Sequence, residues 1–305
     1  MAELRIIFMG TPDFAVPSLE ILVRNNFNVV AVVTAPDKPQ GRGQLMTASP
    51  VKICALKYNI PVLQPLHLKS EAFINELKAW QANLQVVVAF RMLPEVVWAM
   101  PPLGTFNLHA SLLPQYRGAA PINWAIINGE TATGVTTFFL RHEIDTGNII
   151  FQEHEPIGDT DTAGTLYERL MHKGATLVLK TVQAIASRNF QVTPQTTTGI
   201  IRPAPKIFKD TCKINWSQPA RQIVNFVRGL CPYPAAWTTF NDRTFKVFAA
   251  SVGDCQAAAK PGELKTDQKN YLYVKSTDGW VAIDELQPEG KRRMNIQDFF
   301  RGNQL

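Results

Sequence analysis

The chain has 305 residues, of which 46% are hydrophobic and 18% charged, and these proportions argue against a disordered protein. A hydrophobic core stops growing at roughly 250–300 residues, so two domains are expected. No apolar run approaches the ~18–20 residues of a membrane span, the start of the chain does not match a signal peptide, and four scattered cysteines argue against a disulfide scaffold or a zinc site. We expect a cytoplasmic protein with reduced thiols.

The first 150 residues alternate short apolar runs with helical stretches. Continuous Val and Ile runs at 4–9, 29–34 and 84–90 indicate strands covered on both faces, as in a parallel α/β sheet. Further strands are predicted at 104–109 and 134–140, and helices at 16–23 and 165–186. The long amphipathic helix closes a predicted first domain at residue 188.

Residues 189–205 contain three prolines and a Thr run with little periodicity, which predicts a linker. Beyond it the pattern predicts a helix near 219–228 and short strands at 244–250, 271–275 and 280–286. Short strands broken by Gly and Pro turns are typical of a small β-barrel. We therefore expect a C-terminal β-barrel domain over 206–305.

The turn after the first strand is Gly10-Thr11-Pro12. It has neither the G-x-G-x-x-G of dinucleotide binders nor the glycine-rich loop and Lys of phosphate-binding loops. This absence weakens any hypothesis of an NAD-dependent or ATP-dependent enzyme.

The densest polar cluster runs from Asn107 to Gly118. Asn107 and His109 are two residues apart on a predicted strand, so their side chains share a face, and they lie at the strand's carboxyl end, where open α/β sheets bind ligands. An Asn amide can donate to a developing oxyanion, and a His can transfer a proton. The alternative is a hydrogen-bonded pair at a strand end.

Asp145 follows the next strand in R-H-E-I-D-T-G, where Gly147 is expected to allow a tight turn. Its carboxylate could orient a histidine or accept a proton through water, and the alternative is an Asp that only forms the turn. His142 competes with His109 for the histidine role, but it has no neighbouring Asn.

The net charge of +6 is confined to the C-terminal third. Residues 1–200 carry 15 basic and 15 acidic side chains, whereas residues 201–305 carry 16 and 10. A basic segment can be a solvated face, or it can bind an anionic partner, with RNA as the leading candidate.

One motif carries a family resemblance. The segment H-A-S-L-L-P-Q-Y-R-G (109–118), with Asn107 before it and Asp145 after it, resembles the signature of the folate-dependent formyltransferases. The opening I-I-F-M-G-T-P-D-F-A-V-P-S-L and the loop D-K-P-Q-G-R-G-Q-L-M-T-A-S-P-V-K are similar to those of the members that act on initiator tRNA.

This resemblance implies a Rossmann-like α/β formyltransferase domain with a mostly parallel sheet, a linker, and a tRNA-binding C-terminal domain with an OB-like barrel. It implies 10-formyltetrahydrofolate as co-substrate, with no metal and no nucleotide, and the amino group of initiator methionyl-tRNA as acceptor. The implied catalytic residues are Asn107, His109 and Asp145, the folate-binding residues Ser111, Leu112, Leu113 and Pro114, and the tRNA-binding residues Arg42, Lys206, Lys209 and Lys213. A monomer is expected, because one protein has to wrap a large asymmetric RNA.

The main alternative is a formyltransferase that acts on a 4-amino-arabinose sugar nucleotide. Such an enzyme needs no extended basic tract, because its acceptor is a sugar nucleotide. Purine transformylases are usually single-domain proteins, so residues 206–305 argue against them, and a formyl hydrolase would not need this C-terminal domain either. An RNA-binding protein without catalytic activity is disfavoured by the intact Asn–His–Asp set.

Overall fold

The computed structural model describes residues 3–40, 44–196 and 199–305. Internal contacts divide the chain into two units, each built from three separate stretches. Unit 1 comprises the chain up to Arg117, Gly134–Glu155 and Glu168–Arg202, and unit 2 comprises Gly118–Thr133, Pro156–Tyr167 and Pro203–Leu305. The expected domains, 1–188 and 206–305, are continuous stretches of sequence, whereas the two units are groups of stretches in contact with one another. The expected boundaries stay a prediction.

Helices and strands are numbered in chain order. The strands up to residue 156 are β1 (Arg5–Gly10), β2 (Asn28–Val33), β3 (Lys38–Gln40), β4 (Leu45–Thr47), β5 (Val62–Leu63), β6 (Leu84–Val88), β7 (Thr105–His109), β8 (Ala132–Phe139) and β9 (Ile149–Pro156). The helices up to residue 187 are α1 (Val16–Arg24), α2 (Pro50–Lys57), α3 (Glu71–Ala79), α4 (Glu95–Trp98), α5 (Pro121–Ile127) and α6 (Ala163–Ser187). After them come α7 (Ala220–Leu230), β10 (Ala236–Phe240), β11 (Arg243–Gly253), β12 (Leu264–Thr266), β13 (Leu272–Lys275), β14 (Trp280–Pro288), β15 (Met294–Asn295) and α8 (Ile296–Phe300).

A seven-stranded sheet in the order β5-β2-β1-β6-β7-β8-β9 forms the framework of unit 1. Its first five strands are parallel, and β8 pairs antiparallel with β7. All five residues of β6 are buried, as expected for a strand covered on both faces. One side of the sheet packs on α3, where Phe73 and Leu77 join the core formed by β1, β2 and β6. The prediction of a mostly parallel α/β sheet is confirmed.

Unit 2 is built on an antiparallel sheet in the order β10-β11-β14-β13-β12, with β15 paired to β14. Irregular register near Ala249 lets β11 bend, and the sheet curls into an OB-like half-barrel, as predicted. Its core includes Phe245 and Phe299, whose rings meet edge to face with their centroids 5.8 Å apart. The apolar face of α7 closes this core.

Two short helices of unit 2 are close in space and distant in sequence. Asn123 on α5 donates to the carbonyl of Gly229 on α7 (2.8 Å). A Cβ on Gly229 would lie 2.6 Å from the Ile127 side chain, so only glycine lets α7 approach α5 this closely. Among the described helices, none combines the length and the apolar character needed to cross a bilayer.

Matched leucine substitutions test the core of unit 1. Leu77 on α3 is 1% exposed, whereas Leu56 on α2 is 57% exposed. We expect Leu77→Ala to lower the free energy of unfolding by about 2–5 kcal/mol, since it leaves a cavity, and Leu56→Ala to change it by less than about 1 kcal/mol. Denaturant unfolding of both variants measures the difference, and equal losses would show that this core is assigned wrongly.

Candidate active site

The carboxyl ends of three parallel strands meet at one edge of the unit 1 sheet. Gly10 at the end of β1 pairs with Val88 of β6, and Val88 pairs with Leu108 of β7. His109 is the last residue of β7 and therefore lies at this edge. Open α/β sheets bind their ligands at this position, because the loops that follow the strands form a crevice there.

Asn107 and His109 lie on the same face of β7, about 7 Å apart along the strand. Asn107 is half-buried, and none of the described residues hydrogen-bonds its side-chain amide. His109 is 6% exposed. A partly accessible amide with free donors beside a buried imidazole fits the predicted oxyanion and proton-transfer roles better than a mutual hydrogen bond.

One hydrogen bond determines which nitrogen of His109 faces the carboxylate. Nε2 lies 2.8 Å from the backbone oxygen of Tyr116. A carbonyl oxygen can only accept, so Nε2 carries the hydrogen and donates it. Nδ1 is thereby left to exchange a proton, and it lies 3.8 Å from Oδ2 of Asp145. The two side chains are 7% and 12% exposed, so an ion pair between them would be only weakly screened.

Asp145 approaches His109 from an unexpected direction. Because β8 is antiparallel to β7, its end at Phe139 pairs with Phe106, whereas His109 pairs with Thr136. The loop between β8 and β9 therefore has to return along the sheet to bring Asp145 to His109. Asp145 has a φ of +54°, a left-handed conformation that Asp adopts more readily than most residues.

Gly147 is required by close packing. A Cβ at this position would lie 1.6 Å from the carbonyl oxygen of Phe139, so no other residue fits. Gly147 does not have a positive φ. The missing side chain, rather than a left-handed backbone, is what allows the loop to fold back onto β8.

The predicted folate-binding stretch forms the loop after β7. The Ser111 hydroxyl is fully buried and donates to the backbone oxygen of Gln115 (2.6 Å). Leu113 is buried, and its backbone N–H donates to Thr136 Oγ1 (3.2 Å). Leu112 and Pro114 are half-buried, and the Leu113–Pro114 peptide is cis. The hydrogen bonds hold the loop rigid, and the side chains left accessible are those of Leu112 and Pro114.

Cys54 and His142 do not form a second site. Burial raises the pKa of the Cys54 thiol to about 11, so it stays protonated and unreactive near neutral pH. His142 lies exposed on the β8–β9 loop. In the described ranges of the chain, no three His, Cys, Asp or Glu side chains are grouped so as to hold a metal ion.

Arg42, the residue expected to contact tRNA in unit 1, lies outside the described residues. It falls between β3 and β4, which pair as a hairpin. A polar network supports the hairpin's base: Lys52 Nζ donates to Asp37 (2.6 Å) and Gln64 (2.8 Å), and the Gln64 amide donates to Asp37 (2.8 Å). These bonds hold the pKa of the Asp37 carboxyl below its ordinary value. The network links Asp37, before β3, and Lys52, after β4, to Gln64, which directly follows β5.

The predicted tRNA-binding lysines of unit 2 are all exposed. Lys206 Nζ lies 5.4 Å from the centre of the Phe208 ring, and Lys213 Nζ lies 5.4 Å from that of Trp237. Lys209 lines a cavity of about 380 Å³ together with Lys246, Tyr233 and Trp237. Within the described part of the chain, no carboxylate pairs with Lys206, Lys209 or Lys213.

Three arginines of unit 2 are already engaged. Arg221 pairs with Asp159 (2.6 Å), and Arg228 donates to the backbone oxygens of Gly158 and Asp161. Arg293 forms a two-point pair with Glu285. These arginines are therefore less available to an anionic partner than Lys206, Lys209 and Lys213.

Sequence reasoning missed one polar residue beside the site. Gln195 lies in the predicted linker, yet its side chain contacts the loop that carries Asp145. The neighbouring Thr193 forms a bridge with Ile149 at the start of β9. Neither spacing nor periodicity indicates these contacts, because they depend on the fold of a segment without regular structure.

Two family models match the chain. The model described as formyl transferase matches residues 4–182, and the model described as formyl transferase, C-terminal domain, matches residues 206–304. Among solved structures, the sugar 3N-formyl transferase WlaRD superposes with a TM-score of 0.70 at 23% identity, over 96% of this chain and 100% of its own. HypX from Aquifex aeolicus, solved with tetrahydrofolic acid, gives a TM-score of 0.66 at 18% identity over 99% of this chain and 48% of its own. At these identities the likeness concerns the fold alone.

Curated relatives are much more similar. The methionyl-tRNA formyltransferase of Parabacteroides distasonis is 56% identical over 98% of this chain and 96% of its own length. That of Bacteroides fragilis is 53% identical over 99% and 96%. Since the similarity extends across both units at about half of all positions, the chain belongs to the formyl transferase family, on the branch of the methionyl-tRNA formyltransferases.

Proposed function

We propose that this chain transfers the formyl group of 10-formyltetrahydrofolate to the amino group of methionine on initiator methionyl-tRNA. The observation that carries the proposal is the near-full-length identity to curated methionyl-tRNA formyltransferases. The 4-amino-arabinose alternative has less support, because the sugar formyl transferase compared above is only 23% identical. We further propose that the protein acts in the cytoplasm as a monomer, since both substrates belong to translation and one copy carries the candidate residues for each.

The reaction needs little activation of its nucleophile. An α-amino group has a pKa of about 7.7–8.0, so a usable neutral fraction exists at physiological pH. The amine nitrogen attacks the formyl carbon, and the carbonyl oxygen becomes a tetrahedral oxyanion. When the bond from the formyl carbon to N10 breaks, N10 gains a proton and the amine loses one. The protein has to stabilise one negative oxygen and move one proton.

We assign the negative oxygen to Asn107 and His109. The Asn107 amide has free donors at the sheet edge, and a protonated His109 places positive charge beside them, with Nε2 bonded to Tyr116 and Nδ1 facing Asp145. Donors that are already oriented stabilise an oxyanion strongly in a site that excludes water. Asp145, 3.8 Å from Nδ1, stabilises the imidazolium and receives the amine proton directly or through water.

We assign the folate to the crevice beside the 111–114 loop. Leu112 and Pro114 keep half-exposed apolar surface that can contact a flat ring system, whereas the buried Ser111 and Leu113 set the shape of the loop. In this assignment the folate role of Ser111 is indirect, because its hydroxyl is already bonded to Gln115.

We assign the tRNA backbone to Lys206, Lys209 and Lys213, with Arg42 reaching the acceptor end. Exposed aromatic rings accompany these lysines: Phe208, 58% exposed, lies beside Lys206, and Tyr233, 81% exposed, lines a cavity with Lys209. Cations neutralise phosphates, and aromatic rings stack on unpaired bases. The combination fits RNA better than it fits a small sugar nucleotide.

A competition between acceptors tests the proposed function. Purified protein is given 10-formyltetrahydrofolate with methionyl initiator tRNA, uncharged tRNA, a 4-amino-arabinose nucleotide or water. We expect formyl transfer to the charged tRNA alone, measured as formylmethionine released from the RNA. Transfer to the sugar nucleotide would instead support the alternative acceptor and would leave the assigned catalytic residues in place.

Removal of the Asn107 amide tests the oxyanion assignment. We expect Asn107→Ala to lower kcat by about 10²–10³-fold with KM for both substrates changed by less than about threefold, because the donor acts on the transition state. Asn189→Ala, an exposed position in the same unit, is the matched control and keeps full activity. An Asn107→Ala enzyme that retains normal kcat and binding would refute the assignment.

Salt dependence tests the lysine assignment. Each phosphate contact contributes about −0.7 to −0.9 to the slope of log affinity for tRNA against log salt, so Lys209→Ala and Lys213→Ala are each expected to reduce that slope by about this amount. Lys69→Ala, an exposed lysine of unit 1, serves as the control. Filter binding from low to moderate salt measures the slopes, and a slope unchanged in both variants would place the tRNA elsewhere.

A further inference from the structure

We propose that Gln195 is a positioning residue that holds the Asp145 loop against His109, an inference that rests on the catalytic roles proposed above. Gln195 lies eight residues after the end of α6, in a segment with no helix or strand of its own. It has no part in the assigned chemistry, and no substrate needs to touch it.

All the hydrogen-bonding groups of the Gln195 amide are used. Nε2 donates to the backbone oxygens of Asp145 and Gly147, each at 2.8 Å. Oε1 accepts from Arg117 through Nη2 (2.6 Å) and Nε (3.2 Å). Carbonyl oxygens only accept and a guanidinium only donates, so these partners permit one orientation of the amide. An amide held at four points in this way is rigid.

The partners of Gln195 belong to the two loops that define the His109–Asp145 contact. Asp145 and Gly147 lie on the loop that returns along the sheet from the end of β8. Arg117 directly follows Tyr116, whose backbone oxygen accepts from His109 Nε2. One side chain therefore links the backbone that presents the carboxylate to the guanidinium of Arg117, on the loop that orients the histidine.

The segment before Gln195 is itself fixed to the sheet. Thr193 and Ile149 exchange two backbone hydrogen bonds, of 2.9 and 2.8 Å. Ile149 begins β9, which receives the chain from the Asp145 loop. Gln195 is thus held two residues from a paired strand, and it can transmit that rigidity to a loop whose residues 141–144 are exposed.

Glutamine is the residue type that this position requires. Alanine would remove all four bonds and leave the Arg117 guanidinium without its acceptor. Glutamate would keep the pairing with Arg117, but it would set a carboxylate oxygen against two carbonyl oxygens that need donors. Asparagine is one methylene shorter and would not span the gap between Arg117 and the loop.

A double-mutant cycle separates positioning from general damage. We expect Gln195→Ala to lower kcat by about 10–100-fold with both KM values within about twofold. In an Asp145→Asn background the same change should lower kcat by less than about threefold. Gln195 acts through the Asp145 carboxylate, and this background has already lost that carboxylate. Gln195→Glu should behave like Gln195→Ala, and Gln183→Ala, an exposed glutamine on α6, should match the wild type.

Hydrogen exchange supplies a readout that does not depend on activity. Amides of residues 140–148 should exchange at least about tenfold faster in Gln195→Ala than in the wild type or in Gln183→Ala, with thermal melting showing that the variant is folded. Unchanged exchange in this loop would overturn the proposal. The proposal would also be overturned if Gln195→Ala lowered kcat equally in the wild type and in the Asp145→Asn enzyme, or if it changed only the KM for tRNA.

The outcomes also separate this proposal from the proposed function. Full activity of Asp145→Asn would refute the catalytic role of Asp145 and, with it, the reason to position it. An impaired Asp145→Asn together with a normal Gln195→Ala would refute only the role of Gln195. Absence of formyl transfer by the wild type would refute the proposed reaction. The hydrogen-exchange experiment would then test by itself whether Gln195 holds the Asp145 loop.

Discussion

The antiparallel pairing of β8 with β7 governs the geometry of this site. A parallel β8 would end beside His109, and a carboxylate just beyond it would reach the imidazole through a short turn. Instead β8 ends beside Phe106, near the start of β7, and its loop has to come back across the sheet. The glycine that fits against Phe139 and the glutamine that bonds the loop backbone are both consequences of that reversal.

Most of the orientation in the site comes from backbone groups. The carbonyl of Tyr116 selects the tautomer of His109, and Thr136 on β8 bonds to both Ser111 and Leu113 in the loop after β7. These bonds are made within the protein, so the imidazole of His109 and the loop after β7 are oriented before any substrate arrives.

The sequence predicted those parts of the structure in which one local signal dominates. Unbroken Val and Ile runs identified β1, β2 and β6, and the two-residue spacing of Asn107 and His109 placed both side chains on one face. The direction of β8 could not be predicted, because an apolar run looks the same whether its strand lies parallel or antiparallel to its neighbour. The steric reason for Gly147 could not be predicted either, because its close approach to Phe139 depends on how the loop folds back onto β8. Gln195 was missed because a single amide in a Pro- and Thr-rich segment has no periodicity to mark it.

The division of the chain into interleaved units bears on how the protein is made. Asn123 and Gly229, the hydrogen-bonded residues of α5 and α7, are separated by 106 positions. During synthesis α5 therefore leaves the ribosome before α7, and Ile127, which packs beside Gly229, has no partner there until α7 has emerged. A fragment that ends in the Pro-rich segment would keep α5 and lose its partner. Unit 2 can therefore complete its fold only when α5 and α7 are present in the same chain, although the two helices fall on opposite sides of the boundary between the two family models.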